Sequence, residues 1–151
     1  MPQTPPPGYQ RVIPYLIYQD APAAIEFLTR AFGFEERMRM PMPDGKVGHA
    51  ELTCGDDVIM LASECPEAGA QSPRALGGAT CQIMCYVDGV DAHHDRAKAA
   101  GATITEGLTD KFYGDRTYAA QDPEGNRWYF ATHVKDVSPE EMEQAMKEMA
   151  G

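Results

Sequence analysis

The feature that most constrains this chain is an internal repeat, because a shift of 68 residues lays its second half over its first. A repeat of this length predicts one supersecondary unit used twice along the chain. The predicted helices and strands follow the same order in both halves, so the match extends beyond single residues. The matched positions are Tyr18 with Tyr86, Asp20 with Asp88, Gly33 with Gly101, and CGDDV at 54–58 with DPEGN at 122–126.

Each half predicts the order β-α-β-β-β, and the predicted fold class is therefore α+β. In the first half, Asp20 is a favourable N-cap for a helix, and Gly33 can end it in the left-handed conformation. In the second half, Asp91 is predicted to cap a shorter helix that ends at Gly101. Segments rich in β-branched and aromatic residues predict the strands. These are 11–18, 34–40, 46–53 and 58–63 in the first half, and 80–87, 102–107, 115–121 and 126–133 in the second.

The chain is long enough for one domain with its own core. The proline-rich first eight residues predict an extended or disordered tail. His93 and His94 are adjacent on the predicted second helix, where they point about 100° apart, so we expect surface or partner-facing residues and no shared ion. The predicted divisions are module one at about 10–63, a Gly- and Pro-rich linker at 64–79, module two at about 80–134, and a C-terminal helix at 138–150.

The C-terminal helix has a clear start signal. Ser138 is the predicted N-cap, and Glu141 three residues later completes a capping box. Met142, Met146 and Met149 follow the helical period and form one apolar stripe. We expect this stripe to dock on the body of the protein or across a dimer.

Composition limits the partners of this chain. The net charge of -10 repels phosphate, so nucleic acid and anionic membrane surfaces are not expected partners, and a cationic ligand is weakly favoured. The four cysteines form no CxxC pair, which indicates free thiols in a reducing compartment. The N-terminus lacks the features of a signal peptide, and no segment is apolar enough to span a membrane, so the expected location is the cytoplasm.

The ordered set of segments resembles the vicinal oxygen chelate superfamily, which includes glyoxalase I, bleomycin-resistance proteins and ring-cleaving dioxygenases. It is most similar to the PhnB-like branch. The resemblance implies that each four-stranded sheet curls into a half-barrel cup, that paired cups enclose a cavity, and that small proteins of this type form homodimers. The segments that carry it are 12–36, GHAEL at 48–52, VIMLAS at 58–63, KFYGDR at 111–116, DPEGNRWYFATHV at 122–134 and SPEEM at 138–142.

The resemblance also implies a divalent metal ion, held by one His, Glu or Gln side chain from the first and last strand of each module. The corresponding positions fall near Ile13, Leu61, Gln82 and Tyr129. Shifting each position by one residue introduces no carboxylate, and a neutral Tyr is a poor ligand for Mg or Mn. We therefore expect no cofactor at the usual metal centre, although a divalent metal elsewhere is left open.

Two further segments supply candidate site residues. His49 and Glu51 share one face of a strand, which predicts a solvated face, a ligand-binding role, or an unconventional metal pair. In the loop FYGDR, Tyr113 can stack on a planar ligand. Arg116 can pair with a ligand carboxylate or with an aspartate of its own loop.

The sequence thus favours a protein that binds a small cationic or aromatic molecule in the cup cavity without the usual metal centre. Whether it is an enzyme stays open. The alternative is a metal-dependent lyase, isomerase or dioxygenase with a displaced site around His49 and Glu51. The candidate ligand-binding residues are His49, Glu51, Gln82, Tyr113, Arg116 and Tyr129.

Overall fold

The computed structural model describes residues 1–151 and contains eight strands and four α-helices. The strands are β1 (Tyr15–Tyr18), β2 (Glu35–Pro41), β3 (Val47–Cys54), β4 (Asp57–Ser63), β5 (Gln82–Tyr86), β6 (Thr103–Asp110), β7 (Asp115–Gln121) and β8 (Arg127–His133). The helices are α1 (Ala21–Phe32), α2 (Pro73–Leu76), α3 (Val90–Ala99) and α4 (Pro139–Ala150). None of them combines the length and the hydropathy needed to cross a bilayer.

The strands form two open four-stranded sheets with the same topology. Sheet one has the order β1-β4-β3-β2, and sheet two has the order β5-β8-β7-β6. The first and last strands of each module pair in parallel, and the remaining pairs are antiparallel. β2 and β6 begin at Glu35 and Thr103, and β3 and β7 begin at Val47 and Asp115, in both cases 68 residues apart. The repeat and the predicted α+β class are confirmed.

The helix signals of the first module act as predicted, whereas one signal of the second does not. Asp20 caps α1 by accepting a hydrogen bond from the Ala23 N–H at 3.1 Å, and Gly33 ends it at φ 74°. The predicted cap at Asp91 is wrong, because α3 begins after Gly89 and Asp91 lies inside its first turn. The Val90 N–H instead donates to the Thr132 hydroxyl of β8 at 3.0 Å. A tertiary contact therefore replaces the local cap.

One core joins the two modules. Phe32 at the end of α1 packs against Trp128 and Phe130 of β8, with ring centroids 5.4 and 4.7 Å away. The helices α1 and α3 also contact each other. Because aromatic side chains bury large apolar areas, this cluster supplies much of the force that holds the modules together.

The prediction of surface or partner-facing histidines on α3 is wrong for His93, which packs within its own chain. The His93 ring is partly buried between Phe32 and Phe130, with Nδ1 2.6 Å from the Tyr118 hydroxyl and Nε2 2.9 Å from the Phe32 carbonyl oxygen. A carbonyl only accepts, so Nε2–H donates and Nδ1 accepts from Tyr118, which makes the imidazole neutral. Burial lowers the pKa of His93 in agreement with that tautomer. The His94 side chain is only 14% exposed and packs its ring edge-on against Tyr118.

The turn between β7 and β8 binds the first module through two carboxylates. Asp122 accepts hydrogen bonds from the Tyr18 hydroxyl at 2.7 Å and from the Trp128 indole N–H at 3.2 Å. Glu124 accepts from the backbone N–H groups of Gln19 and Asp20 at 2.7 and 2.9 Å. Both carboxylates are buried, with exposures of 5%. The repeated turn is thus an inter-module contact in its second copy.

The linker contains helical structure, and the residue after the N-terminal tail and Tyr9 pairs with β4. The linker contains a short 3-10 helix at Pro66–Ala68 as well as α2. At the N-terminus, most of the first eight residues are exposed, but the Gln10 side chain donates to the Val58 carbonyl and accepts from its N–H, at 2.7 and 3.0 Å. These bonds imitate the pairing of an additional strand residue beside β4.

The C-terminal helix α4 is only partly as predicted. Its capping box between Ser138 and Glu141 is present, with hydrogen bonds of 3.2 and 3.0 Å. No residue of α4 is buried, and Met146 and Met149 are 59% and 71% exposed. The methionine stripe therefore does not dock on the body of its own chain.

Candidate ligand site on the open sheet faces

Each sheet packs one face against the helical core and presents a second face, which we call its open face. In β1 and β4, Leu16 and Leu61 are buried in the core, whereas their neighbours Tyr15 and Met60 point the other way. Alternation along each strand and pairing across strands assign the remaining residues. The open face of sheet one carries Tyr15, Ile17, Met38, His49, Glu51 and Met60, and that of sheet two carries Gln82, Met84, Tyr86, Thr117, Ala119 and Tyr129.

A hydrogen-bonded network surrounds Glu51 on the open face of sheet one. Its carboxylate accepts from the Tyr9 hydroxyl at 2.9 Å and from His49 Nε2 at 3.1 Å, and Arg37 Nε lies 3.6 Å away. The Tyr15 hydroxyl is 2.8 Å from His49 Nδ1. The Arg37 guanidinium also stacks over the Tyr9 ring, 4.4 Å from its centroid. The N-terminal segment thus covers the carboxylate, and Glu51 is only 3% exposed.

The network keeps Glu51 ionised and orients His49. Burial by itself would raise the pKa of Glu51, but the hydrogen bonds from His49 and Tyr9 and the charge of Arg37 together lower it below its usual value. When Nε2 of His49 donates to Glu51 and Nδ1 carries no proton, Nδ1 accepts from the Tyr15 hydroxyl. Burial and the nearby Glu51 charge raise the pKa of Tyr15, so its phenol stays neutral. Chemically, this arrangement is a set of fixed polar groups on an aromatic surface.

A second network lies on the open face of sheet two. The Tyr129 hydroxyl donates to Thr117 Oγ1 at 3.2 Å and lies 3.3 Å from the Tyr113 hydroxyl. Burial and the hydrogen bond to Tyr129 raise the pKa of Tyr113, so this phenol is also neutral. Lys111 Nζ pairs with Glu106 at 2.7 Å beside these rings. The FYGDR loop therefore places the Tyr113 hydroxyl beside this sheet face, and a contact of Tyr113 with a ligand stays a prediction.

Asp115 organises the edge of this second face. It is 2% exposed and accepts from the Tyr86 hydroxyl at 2.8 Å and from His133 Nδ1 at 2.7 Å. His133 Nε2 lies 2.8 Å from Asp136. Hydrogen bonds to Asp136 and Asp115 raise the pKa of His133. The imidazolium between two carboxylates holds the end of β8 against the start of β7.

Five of the six predicted site residues lie on or reach the open faces, in two separate groups. His49 and Glu51 belong to sheet one, whereas Gln82, Tyr113 and Tyr129 belong to sheet two, and no hydrogen bond joins the groups within the chain.

Arg116 points to the opposite side of β7. Its guanidinium pairs with Asp91 at 2.7 Å and Asp110 at 3.0 Å. The sequence left a loop-internal pair and a ligand contact open for Arg116, and the structure shows the pair with Asp110.

Sequence reasoning missed Tyr9, Arg37 and Tyr15. Tyr9 follows a proline-rich tail, and Arg37 lies at an irregularity in the β2–β3 register, so neither had a usable local signal. Tyr15 had one, because the strand alternation that placed His49 can also be applied to β1.

The four positions to which the resemblance assigned metal ligands do not lie together. Gln82 and Tyr129 lie on the open face of sheet two, and Ile13 precedes β1. Leu61 points into the core, and the open-face residues beside it are Met60 and its strand partner Tyr15. In sheet two the paired residues are Met84 and Tyr129. No group of three or more His, Cys, Asp or Glu side chains lies close enough to hold a metal ion.

Two repeated βαβββ modules, each with one open four-stranded sheet, define the class of protein. The chain belongs to the glyoxalase/bleomycin resistance protein/dioxygenase superfamily, whose family model matches residues 10–130. An uncharacterized protein from Mycobacterium tuberculosis is 39% identical over 136 residues, which are 88% of this chain and 80% of that protein.

Solved structures share this fold. TioX from Micromonospora sp. ML1 is 35% identical with a TM-score of 0.67, over 82% of this chain and 98% of that one. TnmS3 from Streptomyces sp. CB03234, described as an antibiotic binding protein, is 19% identical with a TM-score of 0.64, over 81% and 93% of the two chains. At the lower identity the likeness concerns the fold alone.

Proposed function

We propose that this protein binds a small aromatic molecule on its open sheet faces and that no metal ion takes part. The observation that carries the proposal is the exposure of large apolar side chains on those faces. Tyr15, Met84 and Tyr86 are 49%, 42% and 61% exposed. Exposed apolar and aromatic surface rimmed by polar groups is typical of interaction sites, and flat rings give stacking partners for another ring.

The polar groups on these faces suit recognition of an uncharged or cationic ligand. Glu51 and Asp115 are buried carboxylates that already accept hydrogen bonds from protein donors. The tyrosines offer hydroxyl groups to ligand donors and acceptors. The net charge of -10 adds a weak preference for cations.

The donor set argues against the superfamily's metal centre. Tyr15, Met60, Met84 and Tyr129 supply neutral phenols and thioethers, which do not fit a hard divalent ion that acts as a Lewis acid. TnmS3, an antibiotic binding protein, has the same fold, which supports a binding role for this architecture.

A homodimer would complete the proposed site. We propose that the open face of sheet one meets the open face of sheet two of a second copy, which would bring the His49 group beside the Tyr129 group. A cavity of about 500 Å³ already lies along sheet one, lined in part by Tyr15, Ile17 and Ala62. Closing it against a second face would bury ligand surface on both sides.

Light scattering after size-exclusion chromatography tests the dimer. We expect a mass of twice 16.5 kDa at micromolar concentration. Tyr15→Asp places a charge on the proposed interface and should shift the population to monomers. Leu76→Asp, at an exposed position of α2, is the control and should leave the dimer intact. A monomeric wild-type chain would refute the paired-face arrangement.

A thermal-shift screen tests ligand binding. The probes are planar aromatic antibiotics and cationic glycopeptides. A ligand at 100 times its Kd stabilises by about 2.7 kcal/mol, which raises the Tm of a chain of this size by about 5–10 °C. Met84→Gln should reduce the shift, whereas Leu76→Gln, away from the open faces, should not. No shift with any probe would count against the proposal.

The alternative from the sequence is a metal-dependent reaction at His49 and Glu51. The surroundings of Glu51 are unfavourable for a metal ion, because Tyr9, His49 and Arg37 already contact its carboxylate. Metal analysis of protein purified without chelators discriminates between the two. One equivalent of metal per chain that is lost in His49→Ala would support the enzyme and overturn the metal-free proposal.

A further inference from the structure

Two cysteines from different modules meet where the sheets approach each other. Cys54 ends β3 of sheet one, and Cys85 lies in β5, an edge strand of sheet two. Their sulfur atoms are 2.8 Å apart although 31 residues separate them in the chain. Both side chains pack against the edge of the shared core, on the side away from the open faces. The proposed ligand site does not use them.

We propose that Cys54 and Cys85 form a redox modification site, at which a small-molecule disulfide such as oxidised glutathione converts the two thiols into a disulfide between the modules. A disulfide bond is about 2.05 Å long, so only a small movement of the two sulfur atoms is needed.

The remaining cysteines lack this arrangement. Cys65 and Cys81 are exposed, and the side-chain contact of Cys65 is with Glu67 at 3.7 Å rather than with a second sulfur. The proposed chemistry is therefore specific to the pair in contact.

Either sulfur atom can be the donor in this contact. When Cys54 is the ionised partner, the Cys85 thiol donates to it, and this hydrogen bond lowers the pKa of Cys54 and raises the pKa of Cys85. A first attack by Cys54 and a first attack by Cys85 lead to the same disulfide.

The reaction balances in two exchanges. The Cys54 thiolate attacks one sulfur of oxidised glutathione, forms a mixed disulfide and releases one glutathione thiolate, which takes up a proton. Cys85 then loses its proton and attacks the Cys54 sulfur, which releases the second glutathione. Two electrons pass from the protein thiols to the small disulfide, and two reduced glutathione molecules result.

The pair is open to a small reagent. Cys54 and Cys85 are partly exposed and line a surface groove of about 320 Å³ together with Val12, Ile83 and Met84. A mixed disulfide with glutathione can form at the mouth of this groove before the second exchange closes the bond. The resulting cross-link ties the β3–β4 hairpin to the edge of sheet two.

The test isolates the pair by substitution. Trypsin fragments 47–74 and 75–96 each contain two cysteines, so cross-links in the wild-type chain are ambiguous. The full chain carrying Cys65→Ser and Cys81→Ser removes that ambiguity. After treatment with oxidised glutathione and alkylation, we expect fragments 47–74 and 75–96 joined by a disulfide, with both thiols protected and no glutathione attached. The matched control carries Cys54→Ser and Cys85→Ser and should give glutathione adducts or intermolecular links instead.

Denaturation provides the second readout. In concentrated urea the cross-link should form at least about tenfold more slowly, because the fold no longer holds the sulfur atoms together and a flexible loop must close instead. An unchanged rate would show that the fold does not hold the thiols together. Two further results in the folded variant that keeps Cys54 and Cys85 would also overturn the proposal. These are glutathione adducts that persist on either cysteine, and thiols that remain free.

Discussion

Replacing Glu124 with Gln is the sharpest test of how the two modules are joined. The wild-type carboxylate lies in the turn after β7, is 5% exposed, and accepts one hydrogen bond from the Gln19 N–H and one from the Asp20 N–H. Glutamine keeps the shape of the side chain and one carbonyl oxygen. Its amide nitrogen, however, is a donor that must face a second donor, so one of the two bonds is lost.

The expected cost follows from these contacts. A hydrogen bond to a charged group contributes about 1.5–3 kcal/mol, and an unpaired buried donor adds to the loss. We therefore expect Glu124→Gln to lower the free energy of unfolding by about 2–3 kcal/mol. For a chain of this length that corresponds to a fall in Tm of about 4–12 °C.

Urea unfolding measures this loss in two ways. Far-ultraviolet circular dichroism follows the whole fold, and fluorescence follows Trp128, the single tryptophan, whose indole donates to Asp122 in the same turn. Glu35→Gln is the matched control, since Glu35 is exposed at the start of β2. If Glu124→Gln costs no more than this control, the turn does not hold the modules together and the reasoning is refuted.

Three further predictions concern other contacts. Gly114→Ala should lower the free energy of unfolding by about 3 kcal/mol or more, because residue 114 has φ 97° and the added Cβ would collide with the backbone carbonyl of Lys135. Gly101→Ala is the control, because residue 101 has a similar φ of 94° but faces open space, and it should cost about 1–2 kcal/mol. Equal losses in urea curves would contradict the collision. Because burial lowers the pKa of His93, its contribution to stability should be complete above the unfolded value of 6.5 and decline as pH falls through it. His93→Gln should flatten this slope of the urea midpoint, and a slope that is unchanged in His93→Gln would oppose the prediction. Tyr129→Phe removes the hydroxyl that donates to buried Thr117 and should lower the free energy of unfolding by about 1 kcal/mol. It should also reduce any rise in Tm caused by a ligand. An unchanged rise would exclude Tyr129 from the site.

The sequence was sufficient for the fold because its signals there are local and occur twice. Turn residues, strand alternation and helix caps all recur with the same spacing, so each half supports the interpretation of the other. Asp91 shows where local signals fail, since a hydroxyl from β8 supplied the partner that the cap residue was expected to provide. His93 shows the same limit, because adjacent histidines have no periodic pattern and Phe32 and Tyr118 come from elsewhere in the chain.

The site was predicted less completely for a related reason. Alternation within β3 correctly grouped His49 with Glu51, but the partners of Glu51 depend on how the N-terminal segment returns over the sheet. Nothing in a proline-rich segment specifies that return. Arg116 had two aspartates within reach on different elements, and its orientation follows from the pleat of β7.

The inter-module role of the second turn makes the two copies of the repeat unequal for protein engineering. New chain ends or an inserted domain at Gly55 would meet exposed residues and open space in the first copy. The same operation at the equivalent position of the second copy would separate Asp122 and Glu124 from the first module. A circular permutant opened in the first turn should therefore fold, whereas one opened in the second should lose the register between its halves. Duplication has thus left the exposed residues 55–57 of the first turn free to accept insertions and committed the second turn to assembly of the domain.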